Sequence, residues 1–273
     1  MLDPLHEVCV TPNYSARRVA LITGAAGGLG GAIAQELAAK GFDLVLNDLV
    51  ENDTLRQLCA SLEVAGIRAR PVAQDIAKVD QLVAFVDKVH GVFGRLDCLV
   101  NNAGVSVLSR GDILDVSPES FDRCIAVNLR AQFFLTQAVA RRMLADPAPT
   151  QTEKRRSIVT LTTVAVEHMI GTVLAEYCIS KAGLSHMVKH FAARLVGEGI
   201  DCYEIRPGMM STTMTRSSAA KYQALIESGF VPARRWGELS DVGRAVAALA
   251  DGCFSYAVGQ TISIDGGMAL KTF

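Results

Sequence analysis

Short, nearly continuous apolar runs alternate along the chain with longer stretches in which apolar positions recur every three or four residues. The first kind reads as strands buried on both faces, the second as amphipathic helices. Arg18-Val19-Ala20-Leu21-Ile22-Thr23 predicts the opening strand, a helix follows over 31–40 and ends at Gly41, and a second strand occupies 43–48. Helices near 52–65 and 78–93 alternate with strands over 68–73 and 96–100. A long helix is predicted from Pro118, with Ser117 as its cap, to about Leu144. Strands over 157–162, 200–206 and 260–264 complete the series, with a helix carrying Tyr177 and Lys181 to about Gly197 and another over 240–250.

Strands that alternate with helices in this way build a parallel sheet covered on both faces. Residues 1–16 form a polar, proline-containing extension, and residues 17–273 read as one domain without an internal linker. Asp146 to Arg156, broken by Pro147 and Pro149, predicts a surface loop. From Met209 to Trp236 the periodicity weakens, as in a lid over a pocket.

Composition narrows the function more than the fold. The chain has 273 residues, half of them hydrophobic, and a formal net charge of −1, which gives no ground for nucleic-acid or anionic-membrane binding. No apolar run is long enough to cross a bilayer, and the first residues lack a basic and apolar leader, so a soluble, cytoplasmic protein is expected. Seven scattered cysteines suit small, reduced core residues. Cys178 has no paired base nearby to make it a nucleophile, and no Cys/His cluster has zinc spacing, so no metal is expected.

Chemistry enters with Gly24-Ala25-Ala26-Gly27-Gly28-Leu29-Gly30, a glycine-rich turn between a strand and a helix. Gly24 permits the sharp turn, Gly28 lets the backbone approach a pyrophosphate, and Gly30 allows the helix to pack tightly on the strand. The helix N-terminus offers unpaired N–H groups to phosphates. Asp48 ends the second strand, where a carboxylate accepts bonds from the adenosine ribose hydroxyls. A 2′-phosphate there would be repelled, and Gly27 offers no basic side chain, so the expected cofactor is NAD.

Tyr177 and Lys181 are four residues apart on a helix and share a face. A free tyrosine titrates near 10 and is a poor proton carrier at neutrality. A neighbouring ammonium is expected to lower that value and make it a general acid/base. Alone, such a pair describes a solvated helix face; beside a dinucleotide turn it describes a reaction centre.

Together these residues resemble the short-chain dehydrogenase/reductase family, and the resemblance runs from about Arg18 to Gly267. Thr23-Gly24 with Gly28 and Gly30 matches its cofactor turn, Asn101-Asn102-Ala103-Gly104 its signature after the fourth strand, and Tyr177 with Lys181 its catalytic pair. Asn128 falls at its helix asparagine, and Pro207-Gly208 to Met214 looks like its segment beside the nicotinamide. The resemblance implies a single Rossmann-like, doubly wound α/β domain with a parallel seven-stranded sheet. It implies that Tyr177 exchanges a proton with the substrate oxygen, that Lys181 holds the nicotinamide ribose, and that Asn128 holds a water leading from Lys181 to solvent. It places Leu29, Asp75, Ile76, Val127 and the backbone of Asn102 to Gly104 along the cofactor, with Thr212 on the carboxamide. A homotetramer built on the helices near 118–145 and 175–197 and on the last strand is also implied.

One position departs from the family. Its catalytic serine is replaced by Thr163, with Thr162 as the second choice; the hydroxyl keeps its bonding capacity while the methyl narrows the pocket. The expected activity is NAD(H)-dependent interconversion of a secondary alcohol and a ketone, on a substrate like those of 3-oxoacyl-carrier-protein reductases or of sugar and polyol dehydrogenases. The rival is a cofactor-binding regulatory or scaffold protein in which the threonine has impaired turnover; isomerase or lyase chemistry on bound NAD ranks third. Val105, Ser106, Val107, residues 164–172 and the lid from Met209 to Tyr222 are candidate pocket residues. His168 and Glu176 are the nearest ionisable groups, more often loop surface than ligand. Arg141, Arg142, Lys154, Arg155 and Arg156 could attract an acidic carrier protein, although such a run is usually a solvated face.

Overall fold

A computed structural model describes residues 17–147, 155–168, 173–212, 215 and 219–270. The 1–16 extension, Cys9, Lys154, Thr172, Thr213 and Met214 lie outside them. Seven strands, β1 (Val19–Thr23), β2 (Asp43–Asp48), β3 (Ala69–Ala73), β4 (Cys98–Asn101), β5 (Arg156–Leu161), β6 (Ile200–Pro207) and β7 (Thr261–Ile264), form one sheet in the order β3-β2-β1-β4-β5-β6-β7. Every pairing is parallel. The order reverses direction between β1 and β4, which opens a crevice at the carboxyl ends of the strands.

The continuous apolar runs are explained by two cores. Within β1, Ala20 and Ile22 face the core that holds Ile33 and Leu37, while Val19 and Leu21 face the one that holds Phe85 and Leu135. Helices α1 (Gly28–Ala39), α2 (Asp53–Val64) and α8 (Leu239–Ala250) cover the first face. Helices α3 (Leu82–Phe93), α5 (Gln132–Ala145) and α6 (Ala175–Leu195) cover the second. The Asn52 side chain caps α2 by accepting from Leu55 N at 2.9 Å. Gly94 ends α3 in the left-handed conformation at φ 75°.

Two regions differ from the sequence pattern. The long helix is not uniform: α4 (Pro118–Cys124), capped by Ser117 as expected, passes into a π-helical stretch, Ile125–Ala131, before α5 begins. Widened turns of this kind hold one extra residue and keep the helical period on either side, so periodicity does not reveal them. The lid region holds a helix, α7 (Ala219–Glu227), whose buried residues Tyr222 and Ile226 are too few to make a periodic signal.

Candidate active site

A cleft of about 540 Å³ lies over the carboxyl edge of β1, β4 and β5. Its floor is the turn from β1 into α1. Gly24 (φ 64°) and Gly28 (φ 54°) both take the left-handed backbone that other residues rarely adopt. A Cβ on Gly30 would lie 2.1 Å from Gly24 O, so the turn and the helix close on each other only because that atom is missing. No side chain caps α1, whose N-cap is Gly27, and its first turn carries no acidic residue. Unpaired N–H groups and the helix dipole therefore face the cleft, which suits a phosphate group.

Asn102 holds the two walls together. Its Nδ2 donates to Thr23 O (2.8 Å) and Gly24 O (2.9 Å), and Thr23 Oγ1 accepts from the backbone N–H groups of Asn102 and Ala103, each at 3.1 Å. The expectation that the 101–104 signature lines the cleft with backbone was incomplete, because the Asn102 side chain also sets the shape of the glycine turn. At the far end, Asp48 lines the cleft and accepts from Ala26 N (2.9 Å) and Leu49 N (2.8 Å). Each of its oxygens keeps a second lone pair for a hydroxyl.

Gly24, Gly28, Leu29, Asp48, Asp75, Ile76, Asn102, Ala103, Gly104, Val127, Tyr177, Lys181, Pro207 and Thr212 all line this one cleft. Gly30 lies behind the turn, and Gly208 packs against Asp265, where a Cβ would come within 2.6 Å of the backbone. These two shape the walls.

Tyr177 and Lys181 project from α6 into the cleft. Lys181 is 4% exposed and its Nζ donates to Leu161 O at 2.8 Å. Burial pulls its ammonium down to about 8, opposed by the negative charge of Glu204. Burial pushes the Tyr177 phenol up to about 12, Cys178 adds to the rise, and a hydrogen bond with Thr163 pulls the other way. The sequence reading expected Lys181 to lower the phenol; here removal from water is the larger effect.

The two candidate hydroxyls part company. Thr162 lines the cleft, but its Oγ1 donates to the Glu204 carboxylate. Thr163 caps the short 3₁₀ turn Val164–Val166, accepting from Ala165 N at 3.3 Å, and is the one that bonds Tyr177. Asn128 is fully buried in the π-helical stretch. Its Nδ2 donates to Val105 O and Ser180 Oγ, both at 3.0 Å, and its Oδ1 accepts from Val105 N at 2.8 Å. A Cβ on Gly104 would sit 3.2 Å from Asn128 Oδ1 and 3.6 Å from Lys181 Nζ, so the two groups flank one point.

Some candidates move away from the surface role expected of them. Glu176 is 2% exposed and accepts from Ser120 Oγ at 2.5 Å. His168 buries an Nδ1 that has no hydrogen-bond partner. The basic run is largely committed within the chain: Arg142 pairs with Asp146, Arg155 with Asp201, and Arg156 donates to Met143 O and Pro147 O. Arg141 is exposed, and Lys154 lies outside the described residues. The Cys178 thiol is raised by burial, which disfavours a nucleophile there, and Cys253 is exposed where a core residue was expected. Tyr222, expected at the edge of the lid, reaches the neighbourhood of Tyr177; pattern reading missed the buried Glu204–Arg206 pair. Glu204 and Arg206, opposite charges two residues apart in a predicted strand that also carries Asp201, were the available sign of that pair.

Comparison with known proteins agrees with this geometry. A family model described as "Enoyl-(Acyl carrier protein) reductase" matches residues 24–269. The chain is 31% identical over 251 residues to the 3-oxoacyl-[acyl-carrier-protein] reductase of Staphylococcus epidermidis, covering 91% of this chain and 98% of that protein. It is also 31% identical over 252 residues to the 2-dehydro-3-deoxy-D-gluconate 5-dehydrogenase of Escherichia coli, covering 92% and 94%. Among solved structures, a 3-oxoacyl-[acyl-carrier protein] reductase from Brucella melitensis in complex with NAD superposes with a TM-score of 0.89 at 44% identity, covering 94% of this chain and 99% of that one.

Proposed function

The chain belongs to the short-chain dehydrogenase/reductase family, and from that premise we propose that it is an NAD(H)-dependent oxidoreductase interconverting a secondary alcohol and a ketone. The observation that carries this reading is that Tyr177 and Lys181 share one cleft with the glycine turn and Asp48. The uncapped N-terminus of α1 and the Gly24–Gly28 backbone would hold the pyrophosphate, and Asp48 the adenosine ribose. A 2′-phosphate beside Asp48 would meet its carboxylate, which supports NAD over NADP. When bound, the nicotinamide supplies or accepts the hydride.

The protein's own groups handle the proton. In reduction Tyr177 donates to the carbonyl oxygen; in oxidation it takes the hydroxyl proton. Thr163 bonds the substrate oxygen together with the phenol, and Lys181 holds the ribose and stabilises the phenolate. Asn128, with its amide hydrogens committed and one Oδ1 lone pair taken by Val105 N, offers the second Oδ1 lone pair to a water leading outward from Lys181. Val105 and Val127 suit a moderately apolar substrate of the 3-oxoacyl or sugar-acid kind. Homo-oligomerisation through α4, α5 and α6 fits the exposure of Phe121, Phe133, Phe134 and Ile179.

The test is reduced-nicotinamide absorbance across a panel of alcohols, ketones, 3-oxoacyl thioesters and sugar acids. Turnover that disappears in Tyr177→Phe supports the assignment. NADH binding with no turnover on any member favours the regulatory or scaffold alternative.

A further inference from the structure

Under the Tyr177–Lys181 pair lies a buried carboxylate to which the proposed reaction assigns no part. Glu204, on β6, is 1% exposed. It accepts hydrogen bonds from Thr162 just past the end of β5, from Ser185 Oγ on α6 (2.8 Å), from Thr261 Oγ1 on β7 (2.8 Å) and from Arg206 Nε on its own strand (2.8 Å). Burial disfavours its charge, but the bonds from Arg206, Thr162, Thr261 and Ser185 outweigh that and hold the carboxyl below the usual carboxylate range. So many donors around one buried group suit an anion.

Two of those partners flank Lys181. Thr162 follows Leu161, whose carbonyl accepts from Lys181 Nζ, and Ser185 is one helical turn beyond Lys181 on the same face. A buried ammonium bonded to a neutral carbonyl tends to shed its proton unless a counter-charge is near. Of the titratable groups near the pair, Cys178 on the same helix, Cys124 on α4 and Tyr222 on α7 act on the Tyr177 phenol, and Arg206 on β6 pairs with Glu204. Among the described residues, the charge that acts on Lys181 is that of Glu204. Arg206 is shared between Glu204 and Glu167, so two carboxylates and one guanidinium leave one net negative charge for Lys181 to balance.

We propose that Glu204 is a positioning residue for the catalytic pair: a buried carboxylate that acts through Lys181, keeping its ammonium charged and fixing Thr162 and Ser185 on either side of it. This rests on the reading of Tyr177 and Lys181 as the reaction centre. The test follows Lys181 itself, by NMR titration of ¹³Cε-lysine-labelled protein, with its resonance identified by its loss in Lys181→Arg. In Glu204→Gln the midpoint is expected to fall by about one pH unit or more. Where the single variant is too unstable to titrate, Glu167→Gln/Glu204→Gln/Arg206→Gln removes both carboxylates with the guanidinium, strands no charge in the buried site and should lower the midpoint in the same direction. Ser185→Ala removes a hydrogen bond to Glu204 without changing charge and should leave the midpoint in place.

An unchanged midpoint in a folded Glu204 variant, or an equal shift in Ser185→Ala, overturns the proposal. The titration does not depend on turnover. A wild-type protein that oxidises no alcohol would therefore overturn the enzymatic assignment while this result stood or fell by itself. With turnover in hand, the alkaline limb of the rate profile should move down with the midpoint in the Glu204 variants and stay fixed in Ser185→Ala.

Discussion

Thr162 and Glu204 are joined across adjacent strands, with the hydroxyl that follows the end of β5 donating to the carboxylate in β6. Thr163, one residue further, bonds the Tyr177 phenol. Neighbouring residues of an extended chain point in opposite directions, so two hydroxyls that look interchangeable in the sequence serve a buried anion and a phenol respectively.

Thr163→Ala is accordingly expected to lower kcat at least tenfold, about 1.4 kcal/mol of transition-state stabilisation. Thr163→Ser should keep or raise the rate, because it retains the hydroxyl and removes the methyl. Thr162→Val should act first on stability, by about 1–3 kcal/mol, because Glu204 loses a donor in a buried site. Steady-state kinetics and thermal melts of the three variants separate these outcomes; equal rates for wild type and Thr163→Ala would show that the other hydroxyl is the active one.

The pH dependence follows from the opposite displacements of Lys181, down to about 8, and Tyr177, up to about 12. Ketone reduction needs a proton on Tyr177 and a charge on Lys181, so the rate should be level below about pH 8 and fall above it. Stability responds with the reverse sign. Between about 8 and the ordinary lysine value of 10.5 the unfolded chain holds a proton that the folded one has released, so this group makes stability rise with pH across that window. Tyr177 holds its proton longer when folded, and its contribution falls with pH between about 10 and 12. Melting temperatures from pH 7 to 10 should show the lysine's rise in wild type and not in Lys181→Met.

What the sequence revealed follows from how each feature is encoded. Strand and helix periods, the glycines and the Tyr177–Lys181 spacing are local, and local patterns marked out the seven strands and residues that line one cleft. The Glu204 cluster draws on β5, β6, β7 and α6, residues far apart in the chain that meet only through the sheet order. The phenol's upward shift was missed for a related reason: spacing gives proximity to a charge but not the loss of water around both groups. Asn128 was legible as a residue, whereas its bonds to Val105 and Ser180 depend on the π-helical turn.

Cofactor choice turns on Asp48, whose oxygens are held by Ala26 N and Leu49 N and point along the cleft wall. Asp48→Ala should raise kcat/KM for NADPH relative to NADH by about fivefold or more, since removing one repelling charge at close range is worth about 1 kcal/mol or more. The ratio of the two efficiencies, measured on one substrate at fixed ionic strength, checks this. A wild-type protein that already prefers NADPH would contradict the role given to this carboxylate.

Gly30 tests the other end of the binding site. Its missing Cβ would fall 2.1 Å from Gly24 O and 2.9 Å from Ala25 Cα, both backbone atoms that no side-chain rotation can move aside. Gly30→Ala must therefore push α1 away from the turn. It also strains the latch in which Asn102 Nδ2 donates to Gly24 O, because that same nitrogen lies 2.8 Å from the new methyl. Overpacking of this kind costs about 1–3 kcal/mol, or roughly 2–10 °C in melting temperature for a domain of this size. NADH affinity should fall more than stability does, because the displaced groups are the ones that would hold the pyrophosphate. Gly31→Ala is the control: its Cβ would meet its nearest neighbours at 3.8 and 3.9 Å, ordinary contacts, and both melting temperature and NADH affinity should stay near wild type. Equal NADH affinity in the two variants would mean that the close approach of turn and helix does not shape the cofactor site.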